Sequence, residues 1–214
     1  FKGDIITRLK RRILLFTNTR RARITASSTI KNLFKMIKIN MGCGWRNFGV
    51  GWTHIDGGNY THLDHNDITR LPYKDEEVDL IYCSHVLEYF DRGEAVELLK
   101  EWKRVLKQGG TLRVAVPDFA AYVQLYHSKS IGLQECLGPL YGKMKMKDDS
   151  IYHKTTYDKS SLQQLLEKAA FKDVKRYDWR LTCHAQFDDH SQAYIPHMDK
   201  KNGTLMSLNL EGKK

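Results

Sequence analysis

The chain has 214 residues, of which 41% are hydrophobic, with 35 Lys or Arg against 25 Asp or Glu. This length suits one domain with a short extra segment, and no apolar run approaches the roughly 20 residues that a membrane span needs. The four cysteines (Cys43, Cys83, Cys136 and Cys183) form no Cys-x-x-Cys pair, which excludes the spacing of a zinc ribbon. We expect reduced thiols and a soluble protein of the cytoplasm.

Residues 1–37 are predicted to form a basic arm. Eleven Lys or Arg and one acidic residue lie in residues 1–38, so this region accounts for the whole formal charge of +10 and the remainder is neutral. Near-helical spacing of apolar residues predicts an amphipathic helix, and Ser27 or Ser28 could cap a second helix through Lys35. The arm could lie on an anionic membrane surface, touch nucleic acid, or pack as a linker helix, which we favour. Because the chain begins with Phe1, we expect a fragment of a longer protein or a processed start.

A short apolar strand, Lys38–Met41, runs into the sequence Gly42-Cys43-Gly44. Glycine lacks a Cβ, so this loop is either a plain tight turn or a place where a ligand approaches the backbone closely. Trp52–Asp56 predicts a second strand, and we expect a short helix between the two strands to complete a βαβ unit. Asp56 would then emerge beside the glycine loop, where it could bind both hydroxyls of a ribose or remain a solvated turn residue.

The later apolar patterns alternate between strand and helix. Predicted strands are Leu63–Thr69, Glu77–Ser84, Leu112–Val116, Val174–Trp179 and Thr204–Leu210. Predicted helices are His85–Phe90, Glu94–Lys107 with a stop at Gly109-Gly110, and Ser160–Ala170 with a Ser160-x-x-Gln163 capping box. This alternation predicts an α/β fold with helices on both faces of a parallel sheet. Ligands of such sheets bind at the carboxyl ends of the strands.

An ordered set of motifs carries a family resemblance. It consists of Ile-Asn-Met-Gly-Cys-Gly, His-Ile-Asp, Asp-Ile-Thr-x-Leu-Pro, Val-Asp-Leu-Ile-Tyr-Cys-Ser-His-Val-Leu-Glu-Tyr and a final Val-Pro-Asp, between Ile39 and Asp118. The set resembles the class I S-adenosylmethionine-dependent methyltransferases, in particular those associated with glycans and sugars. The resemblance implies a doubly wound, Rossmann-like sheet of seven strands, mostly parallel with an antiparallel last strand. It also implies S-adenosylmethionine as cofactor and S-adenosylhomocysteine as product.

The resemblance assigns roles to individual residues. Gly42, Cys43 and Gly44 would wrap the methionine end of the cofactor, Asp56 would hold the ribose, and Asp67 with the Ile68 backbone would meet the adenine. Ser84 and His85 would line the methionine and substrate side. Asn40 departs from the pattern, because many members carry an acidic residue there, yet its amide can still orient the loop or the cofactor's amine.

Methyl transfer to a hydroxyl requires a base within hydrogen-bond reach of the acceptor. His85, Asp118 and His153 lie near predicted strand ends and are our candidates. Each also has a purely structural interpretation. His85 could cap its helix, Asp118 could begin a turn, and His153 could be an exposed loop residue.

Two long segments, residues 119–154 and 180–203, are predicted to build the acceptor pocket. Their tyrosine, amide, carboxylate and imidazole groups suit a polyhydroxylated ligand, although a lid or a dimer contact would use the same residues. A divalent metal is permitted by His62-x-x-His65, or by His184 with Asp188, Asp189 and His190. Neither spacing is diagnostic, so we predict no metal site.

We therefore predict an O-methyltransferase that acts on a sugar or glycan hydroxyl. Because the whole chain is similar to methyltransferases that accompany glycosyltransferases, a preceding glycosyltransferase domain in a longer parent chain is an expected partner. Two alternatives remain. One is an RNA methyltransferase that holds phosphates with the basic arm, which the neutral main domain argues against. The other is a non-enzymatic module that keeps the cofactor fold for binding or scaffolding.

Overall fold

A six-stranded sheet forms the centre of the fold in a computed structural model, which describes residues 36–146 and 148–214. The helices predicted between Ile5 and Lys35 lie outside the described residues. The strands are β1 (Lys38–Met41), β2 (Thr53–Ile55), β3 (Val78–Ser84), β4 (Leu106–Pro117), β5 (Met144–Met146), β6 (Asp149–Ile151), β7 (Lys172–Arg176), β8 (Tyr194–Ile195), β9 (Thr204–Leu205) and β10 (Ser207–Lys213).

The main sheet has the order β2-β1-β3-β4-β10-β7. Strands β1 to β4 pair in parallel, whereas β10 runs antiparallel to both β4 and β7. The mostly parallel α/β sheet and its antiparallel last strand are therefore as predicted. Two small antiparallel hairpins, β5-β6 and β8-β9, lie outside it.

Four α-helices accompany the described strands: α1 (Arg92–Val105), α2 (Phe119–His127), α3 (Leu133–Tyr141) and α4 (Lys159–Lys168). Helix α1 begins with a capping box in which the Asp91 and Glu94 side chains bind each other's backbone N–H. The predicted cap of α4 is wrong by two residues, since Asp158 and Ser161 form that capping box. In the described part of the chain, no helix is both long and apolar enough to cross a lipid bilayer.

The two faces of the sheet are covered differently. On one face, alternate strand residues such as Ile39 and Ile81 pack with Trp102 of α1 and Leu162 of α4, all fully buried. Each such side chain contributes about 1.5–3 kcal/mol through removal of its apolar surface from water. On the other face, a cluster of strand and loop residues takes the place of an α-helix, as far as the described residues show. Its members are Phe48, Trp52, Leu80, Tyr82 and Phe187.

The main sheet has six strands rather than seven because residues 63–69 do not form a strand. Only His65 bridges to Ile55, and residues 64–67 are exposed. Their short polar side chains bind nearby backbone instead. Asp64 Oδ2 accepts from His54 N at 2.8 Å, and Asp67 Oδ1 accepts from Thr69 N at 2.7 Å.

Of two other predicted helices, the one between β1 and β2 is absent and the one after β3 is shorter than predicted. Turns and irregular backbone connect β1 to β2 between residues 42 and 52, so no helix completes the βαβ unit. Gly42, Gly44, Gly49 and Gly51 all have positive φ in this connection, which an α-helix does not permit. The helix predicted at residues 85–90 is a 3-10 turn at Leu87–Tyr89.

Candidate active site

A cavity of about 900 Å³ opens at the carboxyl ends of β1 to β4. This is the position at which parallel sheets bind their ligands. Several residues singled out in the sequence line it together: Gly42, Gly44, Asp56, Ile68, Ser84, His85 and His153. Four others do not line it: Asn40, Cys43, Asp67 and Asp118.

The glycine loop turns tightly against the start of the segment that follows β3. Gly42 has a φ of +63°, and a Cβ at this position would overlap a methyl group of Val86. Its N–H donates to Ile55 O at 2.7 Å. Gly44 also has positive φ, at +57°, but no atom of residues 36–146 or 148–214 lies within 4 Å of where its Cβ would be. The loop therefore requires glycine at 42 for space and backbone conformation, and at 44 it leaves open volume for a ligand.

Asp56 fastens this loop to the end of β2. Its Oδ2 accepts from Gly44 N at 2.8 Å and its Oδ1 accepts from Gly58 N at 2.7 Å. The carboxylate is buried and faces the cavity. Each carboxylate oxygen has a second lone pair, so Asp56 can brace the loop and accept a ligand hydroxyl at the same time.

Asn40 and Cys43 lie behind the loop rather than in the cavity wall. Asn40 is buried on the aromatic face of the sheet, and its Nδ2 has no hydrogen-bond partner within the part of the chain that the structure describes. The Cys43 thiol points to His62 Nε2 at 3.7 Å. Burial, and secondarily the negative charge of Asp56, raises the pKa of Cys43 to about 12. A thiol that stays protonated at neutral pH is a poor nucleophile, so Cys43 serves as a small residue of the loop.

Ile68 forms part of the cavity wall, whereas its neighbour Asp67 is exposed and bonded to the turn that follows it. Hydrogen bonds from Thr69 lower the pKa of Asp67. The Trp102 indole N–H donates to Ile68 O at 2.8 Å. This hydrogen bond holds the Ile68 backbone, and with it this part of the cavity wall, against helix α1 and the hydrophobic core.

His85 follows β3 in an unusual backbone conformation. Its φ is +56°, the left-handed region that costs a non-glycine residue about 1–2 kcal/mol. Such strain is typical of functional sites. The ring lies 5.0 Å from that of His190, and burial followed by the proximity of His190 and His153 lowers the pKa of His85 well below its usual value. His85 is therefore a neutral imidazole at physiological pH.

His153 extends from the segment after the β5-β6 hairpin. Its Nδ1 lies 2.9 Å from Pro139 O, and because a carbonyl can only accept, Nδ1 carries the hydrogen and Nε2 has a free lone pair. Burial lowers the pKa of this imidazole. Gly142 lies against the ring so closely that a Cβ at residue 142 would overlap Nε2. His153 is thus held as a neutral base in the cavity wall.

Asp118, the third candidate base, occupies a structural position. Its Oδ2 accepts from the Arg176 guanidinium at 3.2 Å, and its backbone N–H donates to Met206 O. The side chain is buried but does not line the cavity. This geometry favours His85 and His153 over Asp118 for contact with a ligand.

Glu88 lines the cavity but is not among the residues predicted from the sequence. It is 1% exposed, and neither carboxyl oxygen has a hydrogen-bond partner among the described residues. Burial raises its pKa to about 8. Its sequence context could have identified it, because an acidic residue inside the apolar run Val-Leu-Glu-Tyr-Phe indicates a buried carboxyl group.

Stability should depend on pH through Glu88. Its folded pKa is raised, so the folded chain binds more protons than the unfolded chain between about pH 4.5 and 8, and stability falls as pH rises through that window. The buried histidines have lowered pKa values, and they increase stability with pH only up to about 6.5. Between pH 6.5 and 8 we expect a loss of about 2 kcal/mol. Urea unfolding should show this loss in the wild type and a flat profile in Glu88→Gln; equal slopes would contradict the account.

Aromatic and polar side chains complete the cavity wall. Tyr122 and Tyr152 come from the first predicted acceptor segment, together with Met144, Met146, Ser150 and Lys154. Trp45 also lines the cavity, and it is 70% exposed with the Arg46 guanidinium over its ring. The second segment contributes only His190 and Ala193.

Part of residues 180–203 instead covers the aromatic face of the sheet. Asp189 accepts a hydrogen bond from the Tyr82 hydroxyl at 2.6 Å, and His184 lies against the Tyr82 ring with centroids 3.9 Å apart. Burial lowers the pKa of His184 to about 3. Within residues 36–146 and 148–214, no three His, Cys, Asp or Glu side chains are grouped to hold a metal ion.

Comparison with known proteins agrees with this geometry. Residues 50–114 match the family described as a methyltransferase domain. The uncharacterized protein MJ1123 of Methanocaldococcus jannaschii is 27% identical over 105 residues, which cover 49% of this chain and 43% of that protein. The aligned region thus spans less than half the length of that relative.

Two solved structures share the fold. One is a SAM-dependent methyltransferase from Thermotoga maritima, with 16% identity, a TM-score of 0.50, and coverage of 87% of this chain and 86% of that one. The other is a SAM-dependent methyltransferase from Archaeoglobus fulgidus, with 15% identity, a TM-score of 0.50, and coverage of 92% and 95%. The family match covers less than a third of the chain, and the two structures show that its fold is similar to that of SAM-dependent methyltransferases.

Proposed function

We propose that the protein is an S-adenosylmethionine-dependent methyltransferase that acts on a hydroxyl of a sugar or glycan, with His153 as the general base. The observation that carries the proposal is the bare Nε2 of His153, held by Pro139 and Gly142 in a wall of the cavity. A neutral imidazole with a free lone pair is the group that a hydroxyl acceptor needs beside it.

The residues of the strand ends fit the cofactor. Gly42 and Gly44 give the backbone room to approach it, and the free lone pairs of Asp56 can accept the hydroxyls of its ribose. Ile68 would lie against the adenine, with Ser84 and His85 toward the methionine end. The cavity volume of about 900 Å³ exceeds what a nucleoside-sized ligand requires, which leaves room for an acceptor.

S-adenosylmethionine supplies an activated methyl group on a positively charged sulfur. The chain's task is to align the acceptor oxygen with that methyl and to remove one proton, and alignment alone can supply about 7–11 kcal/mol. As the acceptor oxygen bonds to the methyl carbon, its proton moves to Nε2 of His153. The cofactor would supply the methyl group and leave as a neutral thioether, and His153 would hold the acceptor's proton with its positive charge.

The walls favour a polyhydroxylated acceptor. Tyr60, Tyr122 and Tyr152 present aromatic rings, and Ser150 and Lys154 present hydrogen-bonding groups beside them. Rings provide a stacking surface for the apolar face of a sugar, and polar tips bind its hydroxyls.

Replacement of His153 by Gln should lower the rate of methyl transfer by about 10² to 10⁴. Gln has a similar size but cannot take the proton. The affinity for S-adenosylmethionine, measured by calorimetry, should change by less than about threefold, because His153 lies on the acceptor side. The rate is measured with labelled S-adenosylmethionine against a panel of sugars, nucleic acids and small phenols.

The control is His127→Gln, at an exposed histidine at the end of α2 outside the cavity wall. It should leave both the rate and the affinity unchanged. Label in the nucleic acid or phenol fractions instead of the sugars would overturn the acceptor assignment. Absence of binding heat in the wild type would overturn the whole proposal.

A further inference from the structure

Glu88 occupies a position that the methyl transfer proposed above leaves unexplained. A buried carboxyl group with neither oxygen hydrogen-bonded is rare, because its desolvation is not offset. Glu88 Oε1 lies 3.5 Å from His85 Nδ1 and 4.0 Å from His153 Nε2. The carboxyl group thus stands between the two cavity imidazoles.

The tautomer of each imidazole follows from its other nitrogen. His153 carries its hydrogen on Nδ1, toward Pro139 O. His85 Nε2 lies 3.4 Å from Ser207 Oγ, whose own hydrogen is directed to Asn209 Oδ1 at 2.9 Å. The orientation of the Asn209 amide is in turn set by its Nδ2, which donates to Ser191 O. His85 therefore carries its hydrogen on Nε2, and both nitrogens that face Glu88 are bare.

We propose that Glu88 is a positioning residue that holds a proton between the bare nitrogens of His85 and His153 and so keeps His153 ready to accept one. This role rests on the proposed function. As a neutral acid, Glu88 has one donor and free acceptor sites. It donates to His85 Nδ1 before transfer, and it accepts from the new N–H of His153 after the acceptor's proton arrives there. That proton leaves to solvent from His153 when the product departs.

The surroundings keep Glu88 in the acid form. The titratable groups that face it are Cys83 of β3, His85 and Tyr89 beside it in sequence, and His153 and Tyr157 of the segment after the hairpin. None of these is a cation at neutral pH, since burial lowers the pKa of both histidines. Arg92 and Arg46 act on Tyr157 and His85 rather than on Glu88 itself.

The test is carboxyl carbon NMR on full-length protein labelled at glutamate only, titrated from pH 5 to 10. One glutamate signal should titrate near pH 8, far above the usual range near 4.3. Imidazole nitrogen NMR should show His153 as the Nδ1-protonated tautomer, with its Nε2 signal moving at the same midpoint. The proposal is overturned if no glutamate titrates above pH 6.5, or if His153 does not follow it.

Glu88→Gln should remove both the carboxyl signal that titrates near pH 8 and the accompanying shift of the His153 Nε2 signal. Glu97→Gln, at an exposed glutamate paired with Lys100, should remove neither. If Glu88→Gln does not fold, Glu88→Asp identifies the resonance, because the aspartate carries no label. Calorimetry with S-adenosylmethionine on the same samples separates the two proposals. If the wild type shows the glutamate titration near pH 8 but does not bind the cofactor, the proposed function is refuted and the proton-holding role of Glu88 stands. If it binds the cofactor but no glutamate titrates above pH 6.5, the role of Glu88 is refuted and the proposed function stands.

Discussion

Gly42→Ala should abolish cofactor binding and lower the free energy of unfolding by about 2–5 kcal/mol. Left-handed backbone costs an alanine about 1–2 kcal/mol, and the added methyl would have to displace Val86, which costs a further 1–3 kcal/mol or so. The loop and the start of the segment after β3 would separate, and the cavity wall would change shape. Calorimetry with S-adenosylmethionine and urea unfolding measure the two effects.

The matched control for Gly42→Ala is Gly109→Ala. Gly109 also has a left-handed φ, +73°, but no atom of the described residues lies within 4 Å of its Cβ position, and it does not line the cavity. This variant should lose only the backbone contribution, about 1–2 kcal/mol, and should bind the cofactor normally. Equal losses in the two variants would show that Val86 is not the cause.

Asp56→Asn should weaken the affinity for S-adenosylmethionine by on the order of 100-fold. The amide can accept from one of the two backbone N–H groups that Asp56 now binds, those of Gly44 and Gly58, and it presents a donor to the other. A buried N–H left without a partner costs about 1–3 kcal/mol. Because Gly44 belongs to the glycine loop, that cost should appear in cofactor affinity, measured by calorimetry.

Asp67→Asn provides the comparison for Asp56→Asn. Asp67 accepts only local hydrogen bonds, from Thr69 and Arg70, through one oxygen that an asparagine retains. It is exposed and does not line the cavity. We expect less than a threefold change in affinity, and a loss as large as that of Asp56→Asn would place the Asp67 side chain in contact with the cofactor.

Strands with strong local patterns were predictable from the sequence. Strand β1 begins and ends as predicted, and β3 is buried on both faces as its continuous apolar run indicates. The strand predicted at residues 63–69 was wrong because Asp64 and Asp67 bind backbone groups with their side chains, a competition that apolar spacing does not register. The prediction of a helix between β1 and β2 was also wrong, because the glycines of that connection have positive φ.

The site residues that directly follow a parallel strand were predictable from the sequence. Gly42, Asp56 and His85 each follow a parallel strand, so the sheet brings them to one edge whatever the intervening loops do. Glu88 was not predictable in this way. Its lack of partners and its contact with His153 depend on a segment more than sixty residues later in the chain, which no local pattern encodes.

The exposed Trp45 also gives the protein an optical property. All four tryptophans are in the described residues, and Trp52, Trp102 and Trp179 are buried whereas Trp45 stands at the cavity wall. A soluble quencher such as acrylamide therefore reaches one indole far more readily than the other three. The quenchable fraction of the intrinsic fluorescence arises beside the ligand cavity, which makes occupancy of that cavity readable without any attached dye.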